Sequence, residues 1–396
     1  MKETTIKEVI TKQDWGMFLK LPWQLYKNDP LWVPPLLYDL KRQLNSKLNP
    51  FFKTSEVKYW LAFKAGKCVG RIAAIINHQH NKHYAEQTGF WGYFECINDT
   101  VVADLLLDIA HEWLRQNRMQ QARGPVNLSL NNECGFLIEG VESSPVLQMN
   151  YNPPYYPKLL EKYGYQKEHD LLAFYLSDAI LTNEKSINRL KRISEAVTQK
   201  EKIKFRYFNP KDFKNELERI RLLFNDYMSD NWGFLPMTKE EVDFMAQSLK
   251  PVLVKELAIF AEADGETVGC SLALPDLNQL LKKMDGKLFP FGIFKFLFHK
   301  HKISDIRVML MGINKPFRKK GLEAVFIYRT IMEGIKRKIT GAELSWVSEA
   351  NTAMIRELEN LQAKLYKRYR VYSMPLKQNK ITILNNVCYE AASNSI

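Results

Sequence analysis

The segment Ile313-Asn314-Lys315-Pro316-Phe317-Arg318-Lys319-Lys320-Gly321-Leu322-Glu323-Ala324 holds the densest chemistry in this chain. It joins the apolar run Ile306–Ile313 to an amphipathic pattern over residues 319–338. A strand that enters a helix through a basic, glycine-containing loop aims several backbone N–H groups at one point. Those donors and the positive helix end bind phosphate oxygens. Arg318, Lys319 and Lys320 add charge, and Gly321 permits close backbone approach. A solvated basic helix start would show the same letters, so the segment has to be weighed with its context. Three carboxylates are candidates for general-base work: Asp276 at the end of Leu274-Pro275-Asp276, Glu349 after Leu344-Ser345-Trp346-Val347-Ser348, and Glu95 between Phe94 and Cys96. The competing role for Glu349 and for Asn351 is to cap a helix starting at Thr352, and for Glu95 to lie on a solvated strand face.

Other chemistries find little support. No Gly-x-Ser-x-Gly is present and no Ser/His/Asp arrangement is legible from spacing, so covalent catalysis is not expected. His78, His80 and His83 stand at metal-compatible spacing, but the stretch reads as a polar loop and no metal is predicted. The five cysteines are scattered without a CxxC, which predicts reduced, buried thiols.

The elements that must position these groups recur in two similar series. In the first half, 59–65 and 67–77 predict a hairpin turning at Ala65-Gly66, followed by a strand 90–97, a helix 98–118 capped by Asp99 or Thr100, a strand 121–126, a helix 155–163 and a strand 171–176. In the second, 257–263 and 267–274 flank Asp264-Gly265, a strong hairpin signal, and a strand 306–313, a helix 319–338, a strand 342–347, a helix 352–361 and a strand 370–374 follow. The charged stretch 184–200 reads as a linking helix. Such alternation predicts an α/β class with mixed α+β sheets covered by helices. Two domains are expected, 1–180 and 203–396, joined by 181–202; 396 residues exceed what one ordinary core organises.

The composition is that of a globular protein: 46% hydrophobic and 26% charged, with no apolar run long enough to span a bilayer and no leader-like N-terminus. A cytoplasmic location is expected. The net charge of +13 is unevenly spread, since residues 1–180 hold 20 basic against 19 acidic side chains. The field therefore belongs to the second half and suits a polyanionic ligand, an anionic membrane or nucleic acid. Five phenylalanines fall within 289–298, followed by a basic cluster to Lys302. That run fits either an interfacial element at the inner membrane face or a core-packed insertion.

The segment around Arg318 resembles the pyrophosphate-binding motif of the GNAT N-acyltransferases, Arg/Gln-x-x-Gly-x-Gly/Ala: Arg318 and Gly321 match, and Glu323 departs at the last small position. The whole chain resembles the YghO-type GNAT-like family, through Asn28-Asp29-Pro30-Leu31-Trp32-Val33-Pro34-Pro35, Val69-Gly70-Arg71-Ile72, Gly92-Tyr93-Phe94-Glu95, Tyr151-Asn152-Pro153-Pro154-Tyr155-Tyr156 and Asn231-Trp232-Gly233-Phe234. Some bacterial ceramide synthases look similar in architecture. The resemblance implies two tandem GNAT-like acyl-CoA N-acyltransferase domains and acyl-CoA as co-substrate, held by Met311, Gly312, Ile313, Arg318, Lys319, Lys320, Gly321, Leu322 and Asn351. It also implies that the strand after the cofactor helix splays from its neighbour to admit the pantetheine arm. The acceptor is then an amine, with a lipid or sphingoid amine carried as an option, and Trp232, Phe234, Phe291 and Phe294 are the aromatic candidates to meet it. The first half lacks the motif at Ile97-Asn98-Asp99-Thr100, where an aspartate would oppose phosphate, and is not expected to bind CoA in the usual way. The alternatives are a non-catalytic scaffold that senses acyl-CoA or lipid, and a tRNA-dependent transferase; no RNA-recognition signature favours nucleic acid.

Overall fold

The structure is a computed structural model and describes residues 3–178, 183–200, 203–286 and 302–377. Phe291, Phe294 and nearly all of the aromatic run lie outside the described residues, as does Cys388. The chain divides into two compact units, one of Met1–Pro145, Met149–Asp170 and Tyr369–Ile396, the other of Val146–Gln148 and Leu171–Arg368.

In the first unit, β1 (Thr4–Glu8), β2 (Ser55–Lys64), β3 (Lys67–Asn77) and β4 (Thr88–Cys96) form an antiparallel run. β5 (Gln121–Gly124) adds parallel to β4, and β6 (Phe136–Glu139) follows in the chain. The hairpin between β2 and β3 turns where expected, with Ala65 and Gly66 both at positive φ. Among the described residues the helices here are α1 (Lys12–Leu25), α2 (Leu37–Gln43), α3 (His78–Tyr84), α4 (Thr100–Gln116) and α5 (Tyr156–Tyr163). α4 buries Val102, Leu106, Ala110 and Leu114 against Ile72, Ala74 and Trp91 of the sheet. Each such leucine is worth about 1.5–3 kcal/mol in transfer free energy.

The expected polar loop at His78–His83 is instead α3, because the Asn77 side chain caps it by accepting the His80 N–H at 3.0 Å. Its histidines face different partners. His78 meets Glu56, whereas His80 is buried against Glu86 and Arg123. Burial and the Arg123 charge pull the His80 pKa down to about 4.

The second unit holds β7 (Gln166–Ser177) from Leu171 on, β8 (Lys204–Tyr207), β9 (Ala258–Ala263), β10 (Glu266–Pro275), β11 (Asp305–Ile313) and β12 (Gly341–Ser348). Its order is β7-β12-β11-β10-β9-β8, antiparallel except for the parallel β11–β12 pair. Asp264 and Gly265 take positive φ in the β9–β10 turn, as their letters predict. Its helices among the described residues are α6 (Glu184–Lys200), α7 (Phe213–Tyr227), α8 (Lys239–Leu249), α9 (Asn278–Met284), α10 (Leu322–Lys336) and α11 (Thr352–Asn360). Leu322, Val325 and Phe326 of α10 pack with Val197 of α6 and Ile259 of β9. On the other face, Leu223 of α7 packs with Phe208, Phe260 and Cys270. The last strand, β13 (Lys364–Pro375), returns to pair through Tyr372–Pro375 with Gln121–Gly124 of the first unit.

Candidate functional site

The site in the second unit begins with two strands that part. β11 and β12 pair only from Asp305↔Gly341 to Val308↔Leu344, although β11 runs on to Ile313 and β12 to Ser348. The cause lies in their outer partners. Against β10, Leu310 faces Leu272 while Val308 faces Ala273, so Met309 is an extra residue in β11. Against β7, the β12 register breaks between Leu344 and Val347. Bulges add twist and bend the strand that carries them, and these two start at one level. Met309–Ile313 and Ser345–Ser348 therefore form the two lips of an opening. The expected contacts Met311, Gly312 and Ile313 lie on one lip. Backbone groups there have no ladder partner across the opening.

β11 then leads to the basic loop. Asn314 donates its N–H to Val268, a short turn spans Lys315–Phe317, and Arg318 Nε donates to the Ile313 carbonyl at 3.1 Å. The Arg318 guanidinium lies over the Tyr227 ring, and its Nη2 is buried with no hydrogen-bond partner. Lys319 and Gly321 take positive φ, of 63° and 85°. Helical backbone therefore begins at Leu322 and not, as the periodicity predicts, at Lys319. All three cations therefore lie ahead of the helix, with Gly321, which has no side chain, as its N-cap. A Cβ on Gly321 would also meet Val197 Cγ2 at 3.0 Å. Glu323 stands in the first turn of α10. Burial raises its pKa, while its own backbone N–H and Arg318 favour its charged form.

Next to the last paired step of β11 and β12 lies a buried polar group that the residue patterns miss in part. Arg307 and Glu343 are register partners, with Arg307 Nε 3.6 Å from Glu343. Ser345 Oγ donates to Glu343 at 2.8 Å and accepts from Arg307 Nε at 3.2 Å. The guanidinium also donates to the carbonyls of Leu147 and Gln148. Asp276 accepts the N–H groups of Leu147 and Asn278. Burial pushes Asp276 up to about 6, with the two N–H groups opposing. It pushes Glu343 up to about 7, with Arg307 and Ser345 opposing, and one Glu343 oxygen is buried without a partner. Each strand shows only a charged residue among apolar neighbours, and nothing in either stretch of sequence pairs the two.

Other expected residues fall differently. Asn351 caps α11 by accepting the Met354 N–H at 3.1 Å, the role weighed against cofactor contact. Glu349 is half-buried in the turn before it. Phe234 is buried against Phe224, and Trp232 is half-buried two residues earlier. Glu95 is not on a solvated face. It accepts from Tyr26 at 2.8 Å and Tyr156 at 2.7 Å and lies 3.6 Å from Arg71, and burial raises its pKa.

The first unit has the same opening, but its own atoms fill it. β4 and β5 pair only as far as Phe90↔Arg123. Beyond that point Val126 donates to the Trp91 carbonyl, and the Asn127 side chain accepts the Tyr93 N–H at 2.8 Å. At the helix end, Asp99 accepts from Val101 and Val102 and pairs with Lys64. Asp99→Ala is expected to cost about 1 kcal/mol of stability through the lost cap. Calorimetric CoA affinity should not change, and a loss of affinity on this substitution would place the ligand on the wrong helix.

No family model matches the chain. A tandem GNAT protein from the clavulanic acid biosynthesis pathway superposes with TM-score 0.56 at 11% identity, over 96% of this chain and 100% of that one. A GCN5-related glucosamine N-acetyltransferase region of a fungal multi-domain β-N-acetylglucosaminidase superposes with TM-score 0.58 at 13% identity, over 94% of this chain and 38% of that one. The fold is thus a tandem GNAT fold. In sequence, the chain is 34% identical to Protein YghO of Escherichia coli (strain K12) over 375 residues, 93% of this chain and 94% of YghO. It is 34% identical over 382 residues to a bacterial ceramide synthase of Caulobacter vibrioides, 94% of this chain and 98% of that protein. The chain belongs to the family of these two proteins.

Proposed function

We propose that this protein is an N-acyltransferase that moves an acyl group from acyl-CoA to an amine, using the second unit to hold the thioester. The observation that carries this reading is the opening between β11 and β12 that leads straight to the Gly321-capped start of α10. The donors fit a pyrophosphate: the N-terminal end of α10 behind Gly321, the buried unpartnered Nη2 of Arg318, and the neighbouring Lys319 and Lys320. The pantetheine arm would lie between Met309–Ile313 and Ser345–Ser348. Backbone N–H groups on the Met311–Ile313 lip would polarise the thioester carbonyl. The amine nitrogen attacks that carbon, the C–N bond forms, the C–S bond breaks and CoA leaves as thiolate. The proton lost by nitrogen passes to Asp276 or Glu343, whose raised pKa values suit a base at neutral pH. Glu349 stands further from this group in role, as a turn residue beside the α11 cap.

The name of the Caulobacter relative supports a lipid amine of the sphingoid kind as acceptor and a long acyl donor. Among the described residues no helix is long and apolar enough to cross a membrane. Titration calorimetry with CoA and palmitoyl-CoA, followed by mass-spectrometric detection of the amide formed with a sphingoid base, tests the reading. Amide formation supports it. Tight CoA binding with no turnover on any amine would favour a sensing scaffold, and no binding of any thioester would end both.

Glu323 provides a separate check. Its carboxylate shares the helix end with the proposed pyrophosphate, so Glu323→Ala is expected to tighten CoA roughly three- to tenfold at pH 8. The gain should shrink as the pH falls, because burial already favours the neutral acid in the wild type. Weaker CoA binding in the variant would mean that Glu323 serves the ligand.

A further inference from the structure

Arg307 does more than face Glu343 across the last paired steps of β11 and β12. Val308 and Leu344 pack with Ile331 on the α10 side of the sheet, so alternation sends Arg307 and Glu343 to the other side. The guanidinium there is fully committed. Its Nε donates to Ser345 Oγ, its Nη1 to the carbonyls of Leu147 and Gln148, and its Nη2 to the Ser345 carbonyl at 3.4 Å. Ser345 is the first β12 residue beyond the paired stretch, so Arg307 ties the lip of the opening to the segment 146–148. That segment is held a second time, because Asp276 Oδ1 accepts the Leu147 N–H at 2.8 Å. Gln148 keeps a φ of 57°, which a residue other than glycine holds only where its surroundings fix it.

The two buried carboxylates differ in what they still offer. Asp276 Oδ1 already accepts two backbone N–H groups, from Leu147 and Asn278. Glu343 has both of its contacts on Oε2, Ser345 Oγ at 2.8 Å and Arg307 Nε at 3.6 Å. Its Oε1 is buried without a partner. A buried oxygen left bare costs about 1–3 kcal/mol, a cost that a donor brought by a substrate would remove.

We propose that Arg307 is the positioning residue of the acyl transfer: it holds Glu343 where the strands part, with Oε1 bare to receive the proton of the amine. The inference rests on the acyl-transfer reading above. As the C–N bond forms, the nitrogen proton passes to Oε1 and the C–S electron pair leaves with CoA as thiolate. The titratable and charged groups around Glu343 are Arg307 of β11, Asp276 after β10, Lys367 of β13 and the register partner Tyr175 of β7. Burial pushes Glu343 up and Arg307 opposes it, so losing the guanidinium must raise it further.

The test is the pH–rate profile of amide formation from palmitoyl-CoA and the sphingoid base, with CoA affinity measured by calorimetry. Wild type, Arg307→Gln, Arg307→Lys and Ser345→Ala are compared, and the amine's own titration is common to all four. The wild-type rise should centre near about 7. Arg307→Gln should lower kcat roughly tenfold or more at neutral pH and move the midpoint up by about one pH unit, with CoA affinity within about twofold. Arg307→Lys keeps the charge but loses the fork, so its midpoint should stay near wild type while kcat stays low. Ser345→Ala removes only the hydroxyl bonded to Glu343, and its midpoint should rise by a smaller step. An unmoved midpoint in Arg307→Gln and Ser345→Ala, or in whichever of them folds, would overturn the proposal and leave acyl transfer standing. So would a rate loss that weaker CoA binding accounts for. If the wild type forms no amide with any amine, both fall together.

Discussion

Gly321→Asp is expected to abolish CoA binding to the limit of calorimetric detection, while the chain stays folded by circular dichroism. Three effects act in one direction. Aspartate must adopt φ near 85°, a conformation that side chains other than glycine rarely take. Its Cβ meets Val197 Cγ2 at 3.0 Å, so α6 or the loop must shift. Its carboxylate then caps the α10 N–H groups that the pyrophosphate needs, the state Asp99 already imposes on α4 in the first unit. Arg318→Ala is the milder partner. It removes a charge-assisted contact and should weaken CoA roughly 10- to 150-fold. It also loses the bond to the Ile313 carbonyl, so thermal stability is measured alongside. Wild-type affinity in Gly321→Asp would move the phosphate site away from this loop.

Glu343→Gln is expected to lower turnover by two orders of magnitude or more if Glu343 accepts the amine proton. The wild-type rate should rise with pH through about 7, as the carboxylate loses its proton. In the variant that rise should vanish or shift to the neighbourhood of 6, where Asp276 titrates. Stability should move with the opposite sign. A carboxyl whose folded pKa lies above its unfolded value stabilises the fold fully below the unfolded pKa and loses that contribution as pH rises through the folded one. The wild type should therefore weaken between about 4.5 and 7, and Glu343→Gln should be more stable than wild type at pH 8 but not at pH 4. A variant with full turnover but this stability profile would leave Glu343 a buried partner of Arg307 and move the proton to Asp276.

Much of the fold is legible in the letters because it rests on local rules. Asp264-Gly265 turns because both residues tolerate positive φ, and Asp99 starts α4 because its oxygen accepts two early N–H groups. The apolar run before Asn314 is a strand, buried at Ile306 and again at Gly312 and Ile313, and half-buried over Val308–Met311. The site is less legible. The periodicity extends α10 back to Lys319, but positive φ at Lys319 and Gly321 holds the cations in the loop. His78–His83 has a polar loop's composition, and one Asn77 hydrogen bond makes it a helix. Arg307 and Glu343 lie far apart in sequence and meet only through a parallel register. Neither single strand signals it.

By itself, then, the chain's sequence determined the alternation of strand and helix in both halves, the basic loop with its glycine, and the contrast between that loop and the aspartate at the start of α4. These are properties of short stretches, where backbone preference and side-chain reach act within a few residues. Tertiary structure alone decided where β11 and β12 separate, since that depends on register breaks against β10 and β7 at once. It also decided that Asn127 closes the first opening, and that Glu343 is buried, which raises its pKa. Burial and strand separation are collective: each is fixed by what packs around a residue, and neighbours in space are not neighbours in the chain.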